Sequence, residues 1–174
     1  MADAAPQLRR AGPEDAAKLA LLGQATFLTA FAHDHPGDAL VGHCQDQHSQ
    51  TRYAGWAADP QCALWLFETA LGAPIGYALM TPPALDIEIA PGGLELKRIY
   101  ALAGWQGAGL GRQMVAAVAA EARARGAGTL YLCVYSVNTG AQRFYERLGF
   151  VRIGTQRFMV GETGFTDHIM ALAL

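Results

Sequence analysis

The chain lacks the features that would place it in a membrane, outside the cell or on nucleic acid. Its 174 residues contain no apolar run near the roughly 18 residues that cross a bilayer, and its start has neither the basic nor the apolar stretch of a signal peptide. We therefore expect a cytoplasmic protein with no membrane partner. Basic residues are not in excess, since 13 Lys and Arg stand against 15 Asp and Glu, so we expect no nucleic-acid partner.

Cysteine is scarce, and no metal-binding pattern is present. The three cysteines form neither a CxxC motif nor an even set for disulfides, so free thiols are expected. The four histidines between residues 33 and 48 have spacings that match no compact zinc pattern. The sequence therefore predicts no metal cofactor and places these histidines at the surface.

The sequence has enough hydrophobic residues for one packed core, and its charged residues are unevenly distributed. The hydrophobic content is 52%, which predicts a single domain over residues 1–174. Residues 1–95 hold 4 Lys and Arg against 11 Asp and Glu, whereas residues 96–174 hold 9 against 4. A second half that binds an anion and a first half that receives a cation would produce this split, as would an unevenly charged solvated surface.

Apolar periodicity and turn residues predict a mixed α/β (α+β) fold. In the first half they predict a helix from about Pro13, a polar helical region over residues 38–59, and a hairpin of Cys62–Glu68 and Ile75–Met80. In the second half they predict strands Leu94–Leu102 and Thr129–Tyr135, helices Gly109–Arg125 and Thr139–Leu148, and a final strand pair Val151–Val160 and Thr166–Leu172. The strand–helix–strand order implies a right-handed crossover, and hence a parallel pair in a mostly antiparallel sheet.

A glycine-rich loop, Gln106–Arg112, joins a predicted strand to a predicted helix. Amides at such a helix start can bind an anion, and glycines let the main chain approach a phosphate closely. A Rossmann fingerprint would need a small residue in place of Arg112 and a downstream acidic residue, and a P-loop would need Gly-Lys-Ser/Thr; neither is present. A phosphate cradle and a purely structural turn remain as alternatives.

Three segments together resemble the GNAT (Gcn5-related N-acetyltransferase) superfamily. They are the strand Leu94–Leu102, the pattern Gln106-x-x-Gly109-x-Gly111, and the pattern Asn138-x-x-Ala141-x-x-Phe144-Tyr145-Glu146-x-x-Gly149-Phe150. Two further segments are similar to the spermidine/spermine acetyltransferase branch that PaiA represents: Phe27-x-x-x-Phe31 with Asp34 and Pro36, and Gly161-x-x-x-Phe165-Thr166-Asp167-His168-Ile169-Met170. The resemblance implies the GNAT fold, with helices on both faces of the sheet and a splayed parallel strand pair.

The resemblance further implies acetyl-CoA as the acyl donor and a set of residues that would bind it. The pantetheine arm would lie against strand amides, the pyrophosphate against the glycine-rich loop, and Asn138 would hydrogen-bond the arm. The implied set is Ile99, Tyr100, Ala101, Leu102, Gln106, Gly107, Ala108, Gly109, Leu110, Gly111, Arg112, Asn138 and Phe144.

Amine acetylation requires a neutral nitrogen nucleophile and a proton for the departing thiolate. By the same resemblance, Tyr145 is the general acid, although a core tyrosine is the alternative reading. Glu95, on the strand that borders the acceptor site, is the general-base candidate, and a solvated or salt-bridged carboxylate is its alternative. Asp34, His43 and Asp167 are expected to line the acceptor pocket.

The expected activity is acetyl transfer in a ternary complex to a primary amine of a small, polycationic acceptor such as a polyamine. An aminoglycoside is a similar candidate, because it is also polycationic. Two alternatives stay open: acetylation of a protein or peptide N-terminus, and a non-catalytic acyl-CoA-binding module. The apolar segment Ile169–Leu174 either pairs across a homodimer or completes the sheet of one chain.

Overall fold

A computed structural model describes residues 5–174, which form one seven-stranded sheet with α-helices packed against it. The strands are Gln7–Arg10 (β1), Ala63–Glu68 (β2), Pro74–Thr81 (β3), Leu94–Ala101 (β4), Thr129–Tyr135 (β5), Val151–Val160 (β6) and Thr163–Ala173 (β7). The α-helices are Ala16–Phe31 (α1), Gly37–Gln47 (α2), Gln50–Ala58 (α3), Leu110–Ala124 (α4) and Thr139–Arg147 (α5). No helix in this part of the chain is long and apolar enough to cross a bilayer.

The sheet order is β1-β2-β3-β4-β5-β7-β6, and within it β4 and β5 are the parallel pair. The other neighbouring strands are antiparallel. Helix α4 provides the crossover that a parallel connection needs. The predicted mixed fold, with one parallel pair in a mostly antiparallel sheet, is confirmed.

Apolar side chains cover both faces of the sheet because the strands alternate their side chains between them. On one face, Met114 and Val118 of α4 and Phe150 after α5 pack against strand residues such as Leu130. On the other face α1 and α3 pack against β2 and β3, and a smaller cluster joins α1 and α2 to β6. The helices therefore lie on both faces, as predicted.

The structure differs from the sequence prediction at three places near the amino terminus. The helical region predicted over 38–59 is two helices, because Ser49 caps α3 by accepting a hydrogen bond from the Arg52 amide at 3.3 Å. Residues Pro13–Asp15 form a 3-10 turn, and the α-helix begins at Ala16. Strand β1, which pairs with β2, was not predicted.

The prediction of surface histidines is wrong for two of the four. His35 and His48 are only 8% and 1% exposed. His48 lies between α1 and α3, where its Nδ1 is 2.9 Å from the hydroxyl of Tyr53. Burial of these rings depends on helix packing, which residue spacing does not show.

Gly23 on α1 is the position at which this helix packing tolerates no side chain. A Cβ there would overlap Nδ1 of His48 and lie 2.5 Å from Oη of Tyr53, and both of these side chains are fully buried. We expect Gly23→Ala to lower the free energy of unfolding by about 1–3 kcal/mol, because overpacking outweighs the better helix propensity of Ala. Urea denaturation measures the change.

Gly42→Ala on α2 is the matched control, because nothing lies within 4 Å of a Cβ at that position. It should leave stability unchanged or raise it by up to about 1 kcal/mol, the difference in helix propensity. Equal effects of the two substitutions would contradict the packing described around Gly23.

Candidate active site

The site begins where β4 and β5 stop pairing. The two strands are in register only at Leu94 with Leu130 and at Glu95 with Tyr131, although each continues further. A bulge on β4 accompanies this break: Leu79 pairs with Arg98 and Met80 with Leu96, which leaves Lys97 without a partner on β3. Beyond the bulge the strands diverge, and a cleft of about 740 Å³ opens between them.

The cleft carries positive charge only. Its lining includes Lys97, Arg98, Arg112 and Arg147, and no Asp or Glu from residues 5–174 lines it. One side is formed by β4, another by the start of α4, and a third by α5 and the end of β5. Such a cleft favours an elongated anionic ligand.

The start of α4 supplies unpaired amides to this cleft. The first α-helical hydrogen bond runs from the Gln113 amide to the Gly109 carbonyl, so the amides of Leu110, Gly111 and Arg112 have no partner within the helix. Gly109 adopts φ of 81°, and no side chain caps the helix. An anion at this end is therefore favoured by both the free amides and the helix dipole.

Gly111 is required for the shape of the cleft as well as for its amide. A Cβ at this position would lie 3.1 Å from the ring of Phe144 on α5. The missing side chain therefore lets Phe144 approach the start of α4. Because Phe144 and Gly111 both line the cleft, this contact sets its width there.

Most of the predicted cofactor residues meet in this cleft. The lining includes Ile99, Tyr100, Ala101, Gln106, Gly107, Gly109, Leu110, Gly111, Arg112, Asn138 and Phe144. Two side-chain hydrogen bonds hold the edges: the Gln106 amide donates to the Ala101 carbonyl at 3.2 Å, and Asn138 accepts from the Ala141 amide at 3.0 Å. The second bond leaves the NH₂ group of Asn138 free to donate to a ligand.

Two predicted cofactor residues do not line the cleft. The prediction that Leu102 supplies a free strand amide is wrong, because this amide is donated to the Ile75 carbonyl on the β3 side at 2.9 Å. Alternation along β4 then directs the amides of Ile99 and Ala101 to the opposite edge, toward the cleft. Ala108 lies exposed on the loop between two lining glycines.

Tyr145 lies at the inner end of the cleft. It is 8% exposed and packs edge-on against Phe144 and Phe150, with ring centroids 5.2 and 5.7 Å away. Burial, and secondly the nearby hydroxyl of Tyr100, raise the pKa of the Tyr145 phenol. The hydroxyl therefore stays protonated at neutral pH, which is the state a proton donor requires.

Glu95 lines a second, smaller cavity on the opposite face of β4, with a volume of about 230 Å³. The carboxylate is buried, accepts a hydrogen bond from the Ala84 amide at 2.9 Å, and has Lys97 Nζ 3.9 Å away. The two cavities meet where the strands diverge, since both are lined by Phe31, Lys97, Arg98, Tyr100, Cys133 and Tyr135. We call the smaller one the acceptor pocket.

Aromatic rings and carboxylates characterise the acceptor pocket. Phe27 and Phe31 of α1 face Phe158 and Phe165 of the β6–β7 hairpin across it. The Asp167 carboxylate lines it and has no hydrogen bond or ion pair to any residue in the described part of the chain, and burial raises its pKa to about 6. These groups suit an organic cation, through the ring faces and through Asp167 and Glu95.

Two histidines of the pocket, His43 and His48, are neutral at physiological pH. Burial, and secondly the charge of Arg98, lower the pKa of His43 to about 4 and that of His48 to about 2. His43 and Asp167, two of the three residues predicted to line an acceptor pocket, both line this cavity. Asp34 does not line it directly but accepts a hydrogen bond from Tyr135, which does, at 2.9 Å.

The sequence profile of the acetyltransferase (GNAT) family matches residues 27–150. An uncharacterized N-acetyltransferase of Mycobacterium tuberculosis is 30% identical over 160 residues, which cover 92% of this chain and 98% of the relative. The chain belongs to the acetyltransferase (GNAT) family. The resemblance found in the three sequence segments is therefore confirmed, and the protein is an acetyltransferase.

Solved structures share the fold of this acetyltransferase at low sequence identity. PaiA N-acetyltransferase from Thermoplasma acidophilum, in complex with coenzyme A, has a TM-score of 0.80 and 17% identity, covering 98% of this chain and 99% of that one. The ribosomal-protein-S18-alanine N-acetyltransferase from Escherichia coli has a TM-score of 0.70 and 20% identity, covering 97% and 94%. These similarities extend the GNAT fold over nearly the whole chain.

Residue patterns predicted only part of the acceptor pocket of this acetyltransferase. Its walls come from α1, the turn after α1, α2 and its C-terminal end, β4, β5 and the β6–β7 hairpin, which are distant in sequence. Two spacings could have indicated them: Phe27 and Phe31 are four residues apart on one helix face, and Phe165 and Asp167 are two apart on one strand face. No group of three or more His, Cys, Asp or Glu side chains among residues 5–174 is arranged to hold a metal.

The unpaired carboxylate of Asp167 should cost stability in a pH-dependent way. Its folded-state pKa of about 6 lies above the ordinary value of 3.8, so folding favours the protonated form, and the cost develops as pH rises from 3.8 to about 6 and is complete above that. We expect Asp167→Asn to raise the free energy of unfolding by about 1–2 kcal/mol at pH 8 and to change it little near pH 4. Urea titrations at both pH values measure this.

Asp86→Asn, at an exposed loop position, is the matched control and should change stability little at either pH. A loss of stability at pH 8 in Asp167→Asn would contradict the description of Asp167, because it would show that the charged carboxylate has a favourable partner.

Proposed function

We propose that this acetyltransferase moves the acetyl group of acetyl-CoA to a primary amine of a small, polycationic acceptor, a polyamine being the first candidate, by direct transfer in a ternary complex. The observation that carries the proposal is the junction of two cavities at the β4–β5 gap. Both cavities share Lys97 and Arg98, but the cleft adds further cations and free amides, whereas the pocket adds the carboxylates of Glu95 and Asp167 and aromatic rings. A donor and an acceptor of opposite charge can therefore meet there.

The cleft fits the chemical parts of acetyl-CoA. The amides of Leu110, Gly111 and Arg112 would hold the pyrophosphate, and the amides of Ile99 and Ala101 would hydrogen-bond the pantetheine arm in place of the missing pairing with β5. When bound, acetyl-CoA supplies an acetyl group activated as a thioester. The cationic lining supports the same assignment.

In the proposed reaction a C–N bond forms to the acceptor nitrogen, the C–S bond breaks, and the sulfur receives a proton. Tyr145 would donate that proton, because it lines the cleft and its raised pKa keeps the hydroxyl protonated. Glu95 would remove the proton of the amine, directly or through water, from the acceptor side of β4. The acid and the base would then act on opposite sides of the reacting carbonyl.

The shape of the pocket supports a small amine over a peptide N-terminus. Helix α1 and the β6–β7 hairpin close over it from both sides, and its volume of about 230 Å³ suits a compact molecule. Helix α2 and strand β6 are also in contact, through a cluster that includes Leu40, Cys44 and Val160. An open groove for an extended peptide would require these elements to be apart.

CoA release with an acceptor panel tests the proposal. We expect turnover with spermidine or spermine above that with aminoglycosides or short peptides, and a fall in kcat of about a hundredfold in Tyr145→Phe, since general acids contribute about 10²–10⁴. The dissociation constant for CoA should be unchanged, because the phenyl ring keeps its packing. Calorimetry with CoA measures that constant.

Tyr131→Phe is the control for the loss of a buried hydroxyl away from the cleft, where Tyr131 accepts a hydrogen bond from the Ala90 amide at 3.0 Å. It should keep kcat near the wild-type value. CoA binding without turnover of any acceptor would sink the transfer proposal in favour of a binding module. Faster turnover of a peptide than of any polyamine would favour N-terminal acetylation as the activity instead.

Glu95→Gln should lower kcat/KM for the amine by about a hundredfold at neutral pH. The deficit should shrink as pH rises toward the pKa of the free amine, because the acceptor then arrives without the proton that Glu95 removes. Initial rates from pH 7 to 10 measure this trend. Glu88→Gln, on an exposed part of the neighbouring loop, is the matched control. A deficit that does not change with pH would contradict the base role.

A further inference from the structure

Two buried imidazole nitrogens have no hydrogen-bond partner in the protein. Among residues 5–174, the buried side-chain nitrogen and oxygen atoms without a partner are Nε2 of His35 and Nε2 of His48. Both histidines line the acceptor pocket. Leaving a buried polar atom unpaired is costly, so two such atoms in one cavity are what a site that pairs them with a ligand would show.

The hydrogen bonds around His35 indicate whether its Nε2 would bind a hydrogen-bond donor or an acceptor. Nδ1 is 2.6 Å from Oδ1 of Asp34, and the other oxygen, Oδ2, accepts the Tyr135 hydroxyl proton at 2.9 Å. Burial disfavours the charged Asp34 carboxylate, but the hydrogen bonds from His35 and Tyr135 outweigh it and lower its pKa. A carboxylate only accepts, so Nδ1 carries the proton, and in the imidazole tautomer with its proton on Nδ1 the other nitrogen, Nε2, is a hydrogen-bond acceptor.

The His35 ring is held in place on both faces. Its side chain is 1% exposed, and it stacks on Phe165 with centroids 3.7 Å apart and planes 6° apart. Phe31 packs on it at 4.9 Å and Tyr135 meets it edge-on at 6.1 Å. A ring fixed in this way presents its nitrogen in one direction, as a recognition group must.

His35 and Glu95 stand at opposite ends of the pocket. Glu95 is level with Tyr131 on β5, whereas His35 lies beside Tyr135, to which Asp34 is bonded. Four residues along a strand span roughly 13 Å. The group that His35 binds is therefore not the nitrogen that Glu95 would deprotonate.

From these observations, and resting on the proposed amine acetylation, we infer that the Asp34–His35 pair recognises a second N–H group of the acceptor. Nε2 of His35 accepts a hydrogen bond from that group, and the aromatic rings around it exclude water. The pair thus selects acceptors with two separated nitrogens, diamines and longer polyamines, over monoamines of the same length. The unpaired Nε2 of His48 marks a further polar contact on the pocket wall.

A comparison of two substrates on two enzymes tests this inference. 1,4-Diaminobutane and 1-aminopentane have the same chain length but differ in the second nitrogen. In His35→Asn, whose amide can still reach Asp34 but which lacks Nε2, KM for the diamine should rise about tenfold to a hundredfold. The KM values for the monoamine and for acetyl-CoA should stay within about twofold of wild type, because neither ligand uses this bond.

His168→Asn is the matched control, because His168 lines neither the acceptor pocket nor the cleft. It should leave all three KM values unchanged. A merely structural role of His35 would raise the KM of the monoamine as much as that of the diamine, and this result would overturn the inference.

¹⁵N NMR of histidine-labelled protein tests the binding step independently of turnover. The His35 signals, assigned by their loss in His35→Asn, should show a protonated Nδ1 and an unprotonated Nε2 that shifts when 1,4-diaminobutane is added. Asp34→Asn should remove the preference for this tautomer. An Nε2 signal that does not move at saturating diamine overturns the inference even if acetylation proceeds, whereas a shift without turnover supports it and sinks the transfer reaction.

Discussion

The loss of pairing between β4 and β5 is the constraint on which the rest of the site depends. The two parallel strands pair at only two positions, so the backbone N–H and C=O groups beyond these positions face a gap. Those groups need hydrogen-bond partners, since an unmet amide away from water is costly. The bulge at Lys97 keeps β4 paired with β3 while it turns away from β5. A ligand with amide groups of its own can then take the place of the missing strand.

Because of the same gap, side chains on opposite faces of the sheet can reach the same substrates. Side chains alternate along β4 on each side of the bulge at Lys97, and the extra residue shifts the alternation by one. Leu96 and Ile99 therefore both pack toward α4 and α5, while Glu95 and Tyr100 both face the acceptor pocket. Tyr145 lies on the first side and Glu95 on the second. In a fully paired sheet the backbone would separate them. Here the cationic cleft and the carboxylate-bearing pocket meet at shared walls, which is the arrangement a transfer between two substrates requires.

Local patterns predicted the fold and the cleft better than they predicted the pocket. The glycine-rich loop and α4 are consecutive in sequence, and the chemistry of a helix start depends on neighbouring residues alone. Strand β1 escaped prediction because it has only four residues, two of them Arg, and its pairing with β2 is a tertiary contact. The burial of His35 and His48 likewise depends on helix and hairpin packing. The amide of Leu102 was misassigned because only the register with β3 shows where it points.

The polar groups of the acceptor pocket that lack partners explain how a small cavity could be selective. Asp167 has no ion pair in the described part of the chain, and His35 and His48 each hold one unpaired nitrogen. A site with such groups does not need to bind its preferred ligand with exceptional strength. When a ligand without the matching N–H groups enters, the buried polar groups of the site stay unpaired. The binding free energy lost in this way separates two ligands more strongly than the loss of one methylene contact does. The stability given up at these positions is therefore consistent with selection among amines that differ in their number of N–H groups.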